Sequence, residues 1–377
     1  MSIDLRVLWL TENYPPQRGG MAVSCDRIVR SLREAGARVD AAHFSTRYSD
    51  WRIEQKINGL HFSCPVRDDI AHAMNRLWCL LEKENEQMRF SHVVAFGGLL
   101  PMTGGPVFAA WLHTPFVTLI RGNDFDAGIF SPKRGDILRV GLQASSRICS
   151  VSHDKIEKIA ALYPQAKIEW TPNGIDLTDW EFTPEDTGLA QFWREKYVGH
   201  DQCVLGFFGQ LKRKKGGLFF LETLLCSGRA SRFHLLIVGD VEGEMLEMLE
   251  TNKQELHFTT LPFMDRYELL PNYAACDMIV IPSFYDGLPN VLLEAAALGV
   301  PALASNAGGM RDVLVHNENA LLFQAGDEQD LRRAIEAAAN ISREELERLG
   351  SNCKEMARKF NHQLEAERYL KILEETN

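Results

Sequence analysis

The sequence predicts an α/β protein with two Rossmann-like, doubly wound parallel-sheet domains, and three observations support this fold class. The chain has 377 residues, more than the roughly 250–300 that one hydrophobic core usually serves. Short β-branched runs alternate with longer amphipathic segments, as in a parallel sheet whose strands are joined by helices. The alternation breaks near residue 180, in a stretch rich in Pro, Gly, Asp and Thr, and then begins again. We therefore expect two domains facing a central cleft.

The predicted strands follow one another along both halves of the chain. In the first half they are the runs LRVLWL, ARVDAAHF, SHVVAF, PFVTLI and RICSVS. In the second half they are CVLGFF, FHLLIVGD, LHFTTL, DMIVIPS, PALAS and ALLF. This order predicts a first domain over residues 1–180, a second over 181–358, and a separate helical segment over 359–377.

Composition narrows the choice of function. The chain is 45% hydrophobic and 24% charged, as globular proteins are. No apolar run reaches the ~18 residues that a membrane span needs, and the first residues, MSIDLRVLWLTENYPP, mix acids into an apolar run that would be uniformly apolar in a signal peptide. The net charge of -10 argues against nonspecific nucleic-acid binding. The eight cysteines form no C-x-x-C pair, which predicts a cytoplasmic protein with reduced thiols and neither zinc nor disulfides.

Four strand ends carry candidate binding residues, because ligands of open α/β sheets bind outside the carboxyl ends of the strands. The first is the loop with Gly19 and Gly20, which leads into an amphipathic helix. Paired glycines let backbone N–H groups approach a ligand, and a helix N-terminus favours an anion. This loop is a candidate anion site, with an ordinary flexible turn as the alternative.

A cluster of cations marks the second strand end. Lys212, Arg213, Lys214 and Lys215 follow the run CVLGFF and precede two glycines and a helix. A diphosphate needs charge neutralisation and several donors at once, and this cluster offers both. A solvated basic turn is the alternative, but the position at a strand end favours a diphosphate site.

The third strand end places two acids around an apolar helix, in the segment DGLPNVLLEAAALGVP. Pro289 and Gly299 predict where this helix begins and ends. Asp286 lies in the loop before it, and Glu294 lies more than one turn inside it. An unpaired carboxylate in such a place is costly, so Glu294 needs a structural partner, such as a buried Arg, or ligand hydroxyls.

The fourth strand end carries Arg121 and Asp124 on either side of a glycine. A cation and a carboxylate together could bind a polyhydroxylated ligand, and a surface ion pair is an equal alternative. His113 precedes the same strand and is expected at the opposite end of it, as a structural or surface residue.

Taken together, these features resemble the retaining glycosyltransferases of family 4, which have the GT-B fold. The glycine loop, TPNGID in the linker, the Lys-Gly pair and above all PSFYDGLPNVLLEAAALGVPALASNAGG carry the resemblance, which spans nearly the whole chain. The resemblance implies that the first domain binds the acceptor and the second the donor. It also implies that residues 359–377 return to pack on the first domain.

The resemblance implies roles for individual residues. Asp286 would contact hydroxyls of the donor sugar, Glu294 the ribose of the nucleotide, and Lys215 the diphosphate. The glycine loop of Gly19 and Gly20 would close on the donor. The loop and helix start after Asp286 would also approach the donor, through Gly287, Leu288, Asn290 and Val291.

Three positions depart from the family pattern. Gln210 stands where the family usually has Arg, and Arg213 or Lys212 could supply the missing charge. Arg121 stands where many members have a histidine, and the first acid of the pair is Asp where Glu is commoner. These differences bear on the roles of single residues more than on the fold.

The resemblance implies a metal-independent hexosyltransferase without a cofactor. It would transfer a sugar from a UDP- or GDP-sugar to a hydroxyl of an acceptor, such as a glycan or lipid-linked glycan, with retention of anomeric configuration. The resemblance leaves open whether the protein contacts the cytoplasmic face of a membrane peripherally. Two alternatives remain: a nucleotide-sugar epimerase or hydrolase of the same fold, and a catalytically impaired homologue that binds nucleotide sugars.

Overall fold

A computed structural model describes residues 5–67 and 69–376, except for the side chain of Asn123. The chain divides into two compact units. The first unit contains the residues up to Gly174 together with those from His362, and the second is Ile175–Asn361. Each unit is an α/β domain around a largely parallel sheet, which confirms the predicted fold class.

The first unit surrounds a sheet that has eight strands within the described residues, in the order β3-β4-β2-β1-β5-β6-β7-β8. All neighbours pair in parallel except the β3–β4 hairpin. Its strands are β1 (Arg6–Thr11), β2 (Arg38–Ser45), β3 (Arg52–Lys56), β4 (Gly59–Pro65), β5 (His92–Phe96), β6 (Phe116–Ile120), β7 (Arg147–Ser150) and β8 (Ile168–Trp170). Its helices are α1 (Gly20–Glu34), α2 (Ile70–Gln87), α3 (Leu99–Leu112), α4 (Asn123–Asp126), α5 (Gly135–Ala144), α6 (His153–Leu162) and α14 (His362–Glu374).

The second unit has a wholly parallel sheet with the strand order β11-β10-β9-β12-β13-β14. Its strands are β9 (Cys203–Phe208), β10 (Phe233–Val238), β11 (His257–Leu261), β12 (Met278–Ile281), β13 (Ala302–Ser305) and β14 (Ala320–Phe323). Its helices are α7 (Pro184–Tyr197), α8 (Gly217–Cys226), α9 (Gly243–Thr251), α10 (Arg266–Ala274), α11 (Asn290–Leu298), α12 (Glu328–Ala339) and α13 (Arg343–Arg358).

Every strand predicted from the sequence is present, and the sequence missed β3, β4 and β8. The missed β3 is exposed along its whole length and polar except for Ile53, so it lacks the apolar run by which buried parallel strands are recognised. Within the described residues, no helix has the length and apolar character needed to cross a membrane.

Helix α14 follows the second unit in sequence but packs in the core of the first. It contacts α1 and buries Ala366, Tyr369 and Leu370 in the same apolar cluster as β1. A buried ion pair joins the two helices, with Arg27 Nε 2.9 Å from Glu365 Oε2. The first unit is therefore assembled from two separate parts of the chain.

Candidate active site

The strand order of the second unit brings two candidate loops together. β9 and β12 are neighbours, yet the chain continues from β9 toward one edge of the sheet and from β12 toward the other. The loops that follow such a pair of strands diverge and leave a crevice, which is where open α/β sheets bind their ligands. The cation cluster follows β9, and the loop with Asp286 follows β12.

The loop after β9 forms a short 3-10 turn at Arg213–Lys215, and Gly216 then serves as the N-cap of α8. Gly216 has φ 70°, and a Cβ there would lie 2.0 Å from the carbonyl oxygen of Pro282. Only glycine fits this close approach. The backbone of Phe284 donates to the Lys214 carbonyl at 3.1 Å, so the two loops are joined by their main chains.

Lys215 and Asp286 meet between these loops. The Lys215 ammonium donates to Asp286 Oδ2, and the side chains are 29% and 14% exposed. Asp286 Oδ1 also accepts from the backbone N–H of Gly287 at 2.9 Å. Burial alone would raise the pKa of Asp286, but Lys215 and the neighbouring Lys214 outweigh that effect and lower it. The Asp286 carboxylate is therefore charged at neutral pH, and both side chains are partly accessible.

A pair of glycines after β13 fixes the loop that carries Asp286. Gly308 has φ 52°, and a Cβ there would lie 2.0 Å from the Asp286 carbonyl oxygen. The N–H of Gly309 donates to the Gly287 carbonyl at 2.9 Å. The sequence contained this Gly-Gly, but its part in holding the acid loop depends on packing between neighbouring strands.

Glu294 finds its partner in a tyrosine. The hydroxyl of Tyr273, on α10, donates to Glu294 Oε2 at 2.8 Å. The tyrosine ring is fully buried and stacks on Phe208 at the end of β9, with 4.0 Å between ring centroids. Burial, followed by the nearby Glu294, raises the pKa of Tyr273 well above its ordinary value. The half-buried acid in the apolar helix thus has a neutral, structural hydrogen-bond donor.

The helices at this crevice begin without side-chain caps. The N-cap residue of α8 is Gly216 and that of α11 is Pro289, and neither has a side chain that accepts hydrogen bonds. Helix N-termini carry partial positive charge and favour anions. Together with Lys215, these two helix starts give the crevice the character of an anion site.

The remaining predicted residues of the second unit lie around the same loops. Gln210, Lys212 and Arg213 are exposed. The backbone of Arg213 donates to Glu242 Oε2 at 2.8 Å, which fixes the turn and leaves its guanidinium outside that bond. Leu288 is buried, whereas Asn290 and Val291 are half-buried in the first turn of α11.

The predicted residues of the first unit have partners within that unit. Gly19 is the N-cap of α1 with φ 111°, and Gly20 is its exposed first residue. The carboxylate of Asp124 accepts from the backbone N–H groups of Arg121, Gly122 and Phe125 at 2.7–3.1 Å.

The side chain of Arg121 is almost fully buried. Its guanidinium donates to the Tyr369 hydroxyl at 2.7 Å and to the side-chain oxygen of Asn173. These contacts join β6 to α14 and give Arg121 a structural part, while sugar contact by Arg121 and Asp124 stays a prediction. His113 is the exposed C-cap of α3, in agreement with the expected surface histidine.

The first unit has a crevice of its own, and the sequence analysis found the loop after β1 on one side of it but missed the loop after β5 on the other. Its diverging neighbours are β1 and β5. Glu12, after β1, accepts from the backbone N–H of Leu99 at the start of α3, at 2.6 Å. A Cβ at Gly98 would lie 2.2 Å from Glu12 Oε2. The Gly-Gly after the predicted strand SHVVAF was the available signal for this contact.

Comparisons with known proteins agree with this architecture. The family model described as Glycosyltransferase Family 4 matches residues 18–179, and the one described as Glycosyl transferases group 1 matches residues 202–340. A GDP-mannose-dependent alpha-(1-6)-phosphatidylinositol monomannoside mannosyltransferase of Mycobacterium tuberculosis is 25% identical over 363 residues, covering 89% of each chain.

Solved structures resemble the whole chain. Sucrose-phosphate synthase from Thermosynechococcus elongatus superposes with a TM-score of 0.79 at 17% identity, covering 98% of both chains. HepE from Anabaena, in complex with UDP-glucose, gives 0.75 at 18% identity, covering 98% of this chain and 100% of that one. The two parallel-sheet units therefore define a protein of the GT-B fold. The chain belongs to the family 4 glycosyltransferases, and it is a transferase.

Proposed function

We propose that this glycosyltransferase is a retaining, metal-independent hexosyltransferase that uses a UDP- or GDP-sugar and transfers its sugar to a hydroxyl group. The observation that carries the proposal is the Lys215–Asp286 pair at the crevice of the second unit, beside two helix starts without side-chain caps. One cation, one acid and two helix N-termini match the parts of a sugar diphosphate: a dianionic bridge next to a polyhydroxylated ring.

Donor binding would separate the ion pair and give each of its two members a new partner on the donor. Lys215 would leave Asp286 for the diphosphate, and the Asp286 carboxylate would then accept hydrogen bonds from hydroxyls of the transferred sugar. Because each charged group gains a new partner as it loses the old one, binding leaves no buried charge unpaired. The exposed Lys212 and Arg213 lie on the same loop and would add to the charge that faces the diphosphate.

The reaction would break the bond between the anomeric carbon and the diphosphate oxygen, with the electron pair going to that oxygen. Lys215 and the helix starts would stabilise the charge that develops there. The acceptor oxygen would form its bond to the anomeric carbon on the same face and pass its proton to a leaving phosphate oxygen. Retention then needs no protein nucleophile, and positive side chains supply the charge stabilisation that a divalent ion supplies elsewhere.

The nucleotide would lie against α11, with Glu294 accepting from ribose hydroxyls. A carboxylate accepts several hydrogen bonds, so donation from Tyr273 is compatible with that role. The similar proteins include one named for GDP-mannose and one solved with UDP-glucose, and we therefore propose both nucleotides as candidates. We further propose a cytoplasmic site of action on a glycan or lipid-linked glycan acceptor.

The test is to incubate the protein with UDP- and GDP-sugars in EDTA, with and without a panel of saccharide acceptors, and to measure nucleotide release. We expect release that depends on an acceptor and is unchanged when Mg²⁺ or Mn²⁺ replaces EDTA. NMR of the product should show the anomeric configuration of the donor. Inverted product would contradict the mechanism, and a strict metal requirement would contradict metal independence.

The same assay separates the alternatives. Nucleotide or epimerised sugar released equally well without acceptor would favour an epimerase or hydrolase. Tight nucleotide binding without turnover of any donor would favour a homologue that has lost catalysis.

A further inference from the structure

The first unit contains a cavity at the hairpin edge of its sheet, which we name the edge cavity. It lies between the loop after β1, helix α1 and the β3–β4 hairpin at the edge of the sheet, and its volume is about 670 Å³. This is within the ~300–1,000 Å³ typical of small-molecule sites. None of the residues assigned above to donor or diphosphate binding lines it.

The charged residues of the edge cavity have both signs in nearly equal number. Such a lining does not favour a strongly anionic or cationic ligand, since either would face several like charges. Carboxylates accept and guanidinium groups donate, so the same lining can pair with the many hydroxyls of a neutral saccharide. The cations are Arg30, Arg33, Arg47, Arg52 and Lys56, and the acids are Asp26, Glu34, Asp50 and Glu54.

Neutral imidazoles lie at the inner wall. His61 lines the cavity at 5% exposure, and its Nδ1 has no hydrogen-bond partner within the described residues. Behind it, His43 is fully buried, and its Nδ1 lies 2.6 Å from the Tyr48 hydroxyl. Burial lowers the pKa of each histidine to about 4. A neutral imidazole has one donor and one acceptor nitrogen, which matches a hydroxyl better than it matches an ion.

Aromatic rings form a second part of the lining. Tyr14 and Tyr48 both line the cavity. The Tyr14 ring lies 4.9 Å from that of His61, and the Tyr48 ring lies 5.1 Å from that of His43. Tyrosine combines an apolar ring with a polar hydroxyl. Sugars likewise combine apolar C–H faces with hydroxyl edges, so this wall suits them.

The outer wall is held in place rather than loosely attached. The side chain of Asn58, in the hairpin turn, donates to the Arg33 carbonyl of α1 at 2.8 Å. A Cβ at Gly59 would lie 2.0 Å from the Val39 carbonyl oxygen, so the turn presses directly on β2. Arg33 in turn donates to the carbonyls of Val39 and Leu60 at 2.7–3.0 Å. A cavity with fixed walls binds at a lower entropic cost.

We propose that the edge cavity binds a saccharide portion of the acceptor, so that the preferred acceptor is a glycan. This inference rests on the proposed function. Three lining residues, Tyr14 to Pro16, belong to the β1–α1 loop, which continues to Gly19 and Gly20. An acceptor seated there would therefore contact the β1–α1 loop.

The test compares two tryptophans placed in one exposed loop. Ser49 lines the cavity, whereas Thr46, three residues earlier, is outside the lining. We expect Ser49→Trp to raise the KM for a disaccharide acceptor, chosen from methyl glycosides of cellobiose, maltose, chitobiose and mannobiose, by about tenfold or more. Thr46→Trp should leave it unchanged. Donor KM and acceptor-independent nucleotide release should stay the same in both variants.

A second variant tests whether the effect of Ser49→Trp comes only from a disturbance of the loop by the large side chain. Arg52 lies on the exposed strand β3, and Arg52→Ala should raise the same acceptor KM without lowering the unfolding midpoint. Equal acceptor KM in Ser49→Trp, Thr46→Trp and wild type would overturn the proposal while leaving the proposed function intact. Competition by inorganic phosphate but by none of the saccharides would also overturn it.

The proposal can be tested even if the proposed function fails. If no donor is turned over, saturation-transfer NMR with the same methyl glycosides should still show binding to wild type and Thr46→Trp. Binding should be lost in Ser49→Trp. Equal binding to all three proteins, or to none, would overturn the edge cavity as a saccharide site.

Discussion

The two units repeat one topological arrangement but fill it differently. Each sheet has a pair of neighbouring strands from which the chain diverges, β1 and β5 in the first unit and β9 and β12 in the second. In the first unit, the start of α3 is already met by the carboxylate of Glu12. In the second, α8 starts at a glycine beside the ion pair of Lys215 and Asp286.

This difference separates a structural crevice from a candidate catalytic one. An internal carboxylate at a helix N-terminus offsets its partial positive charge and disfavours a bound anion. A helix start without a side-chain cap, next to a lysine, favours one. The fold is shared by both units, and the contents of the loops decide where a diphosphate would bind.

The largest expected effect comes from removing the cation of the second crevice. Lys215→Ala should lower kcat/KM for the sugar nucleotide by about 10²–10³, in the range found when one preorganised transition-state donor is lost. Steady-state nucleotide release measures it. Lys253→Ala removes an exposed lysine of the same unit and should have no effect. Glu12→Ala should lower stability but not kcat/KM; equal losses in Lys215→Ala and Glu12→Ala would abolish the distinction between the crevices.

The next effect concerns the glycines that fix the acid loop. Gly308→Ala would place a Cβ against the Asp286 carbonyl, so we expect at least a tenfold loss of turnover and a loss of about 1–3 kcal/mol in unfolding free energy. Gly228→Ala is the matched control, because Gly228 also has a positive φ but open space around it. It should lose some stability by urea unfolding and keep full turnover. Full turnover in Gly308→Ala would show that the loop tolerates displacement.

Acid should destabilise the first unit more than the second. Burial lowers the pKa of His43, His61 and His92 in the first unit, and of His234 in the second, to about 4 from an ordinary 6.5. Between these two pKa values the unfolded state binds more protons than the folded state. The contribution of each neutral histidine to the free energy of unfolding is therefore fully present above pH 6.5 and declines as the pH falls toward 4. At pH 5 each histidine should have lowered the free energy of unfolding by on the order of 1–2 kcal/mol relative to neutral pH.

Hydrogen exchange read separately for the two units at pH 7 and pH 5 checks this prediction. After correction for the intrinsic exchange rate, protection should fall further in the first unit, which has three of these four histidines. Equal declines in the two units would count against it.

The smallest expected effect is the loss of one hydroxyl behind Glu294. Tyr273→Phe keeps the stacked ring and removes the 2.8 Å hydrogen bond, so donor KM should rise roughly two- to tenfold, equivalent to ~0.5–1.5 kcal/mol. Tyr369→Phe removes a buried hydroxyl from the Arg121 contacts of the first unit and should lower stability with donor KM unchanged. If both variants shifted donor KM alike, Tyr273 would have no specific part in positioning Glu294.

The sequence predicted those features that depend on the residues of a single segment. Buried parallel strands read as continuous apolar runs, and every predicted strand is present. The edge strand β3 was missed because its side chains are exposed and mostly polar, and it pairs only with β4 within the described residues. The acids and cations at the strand ends were also visible, because parallel strands put their following loops at one edge of the sheet.

Contacts between segments that are distant in sequence could not be predicted from it. Glu294 clearly needed a partner, but Tyr273 lies on another helix and reaches it only through the packing of α10 on α11. The contact of Arg121 with Tyr369 spans 248 positions. The edge cavity likewise depends on a hairpin whose position is fixed by α1 and β2, so nothing local in its residues marks it.

The return of α14 to the first unit has a consequence for how the protein is made. A ribosome completes the β-strands of the first unit early, but Glu365 and Tyr369 emerge only after the whole second unit, Ile175–Asn361, has been synthesised. At roughly 5–20 residues per second this delay is on the order of ten seconds or more. Until then, the surface of α1 that α14 covers, with the buried Arg27, is exposed on the nascent chain, where a chaperone could recognise it.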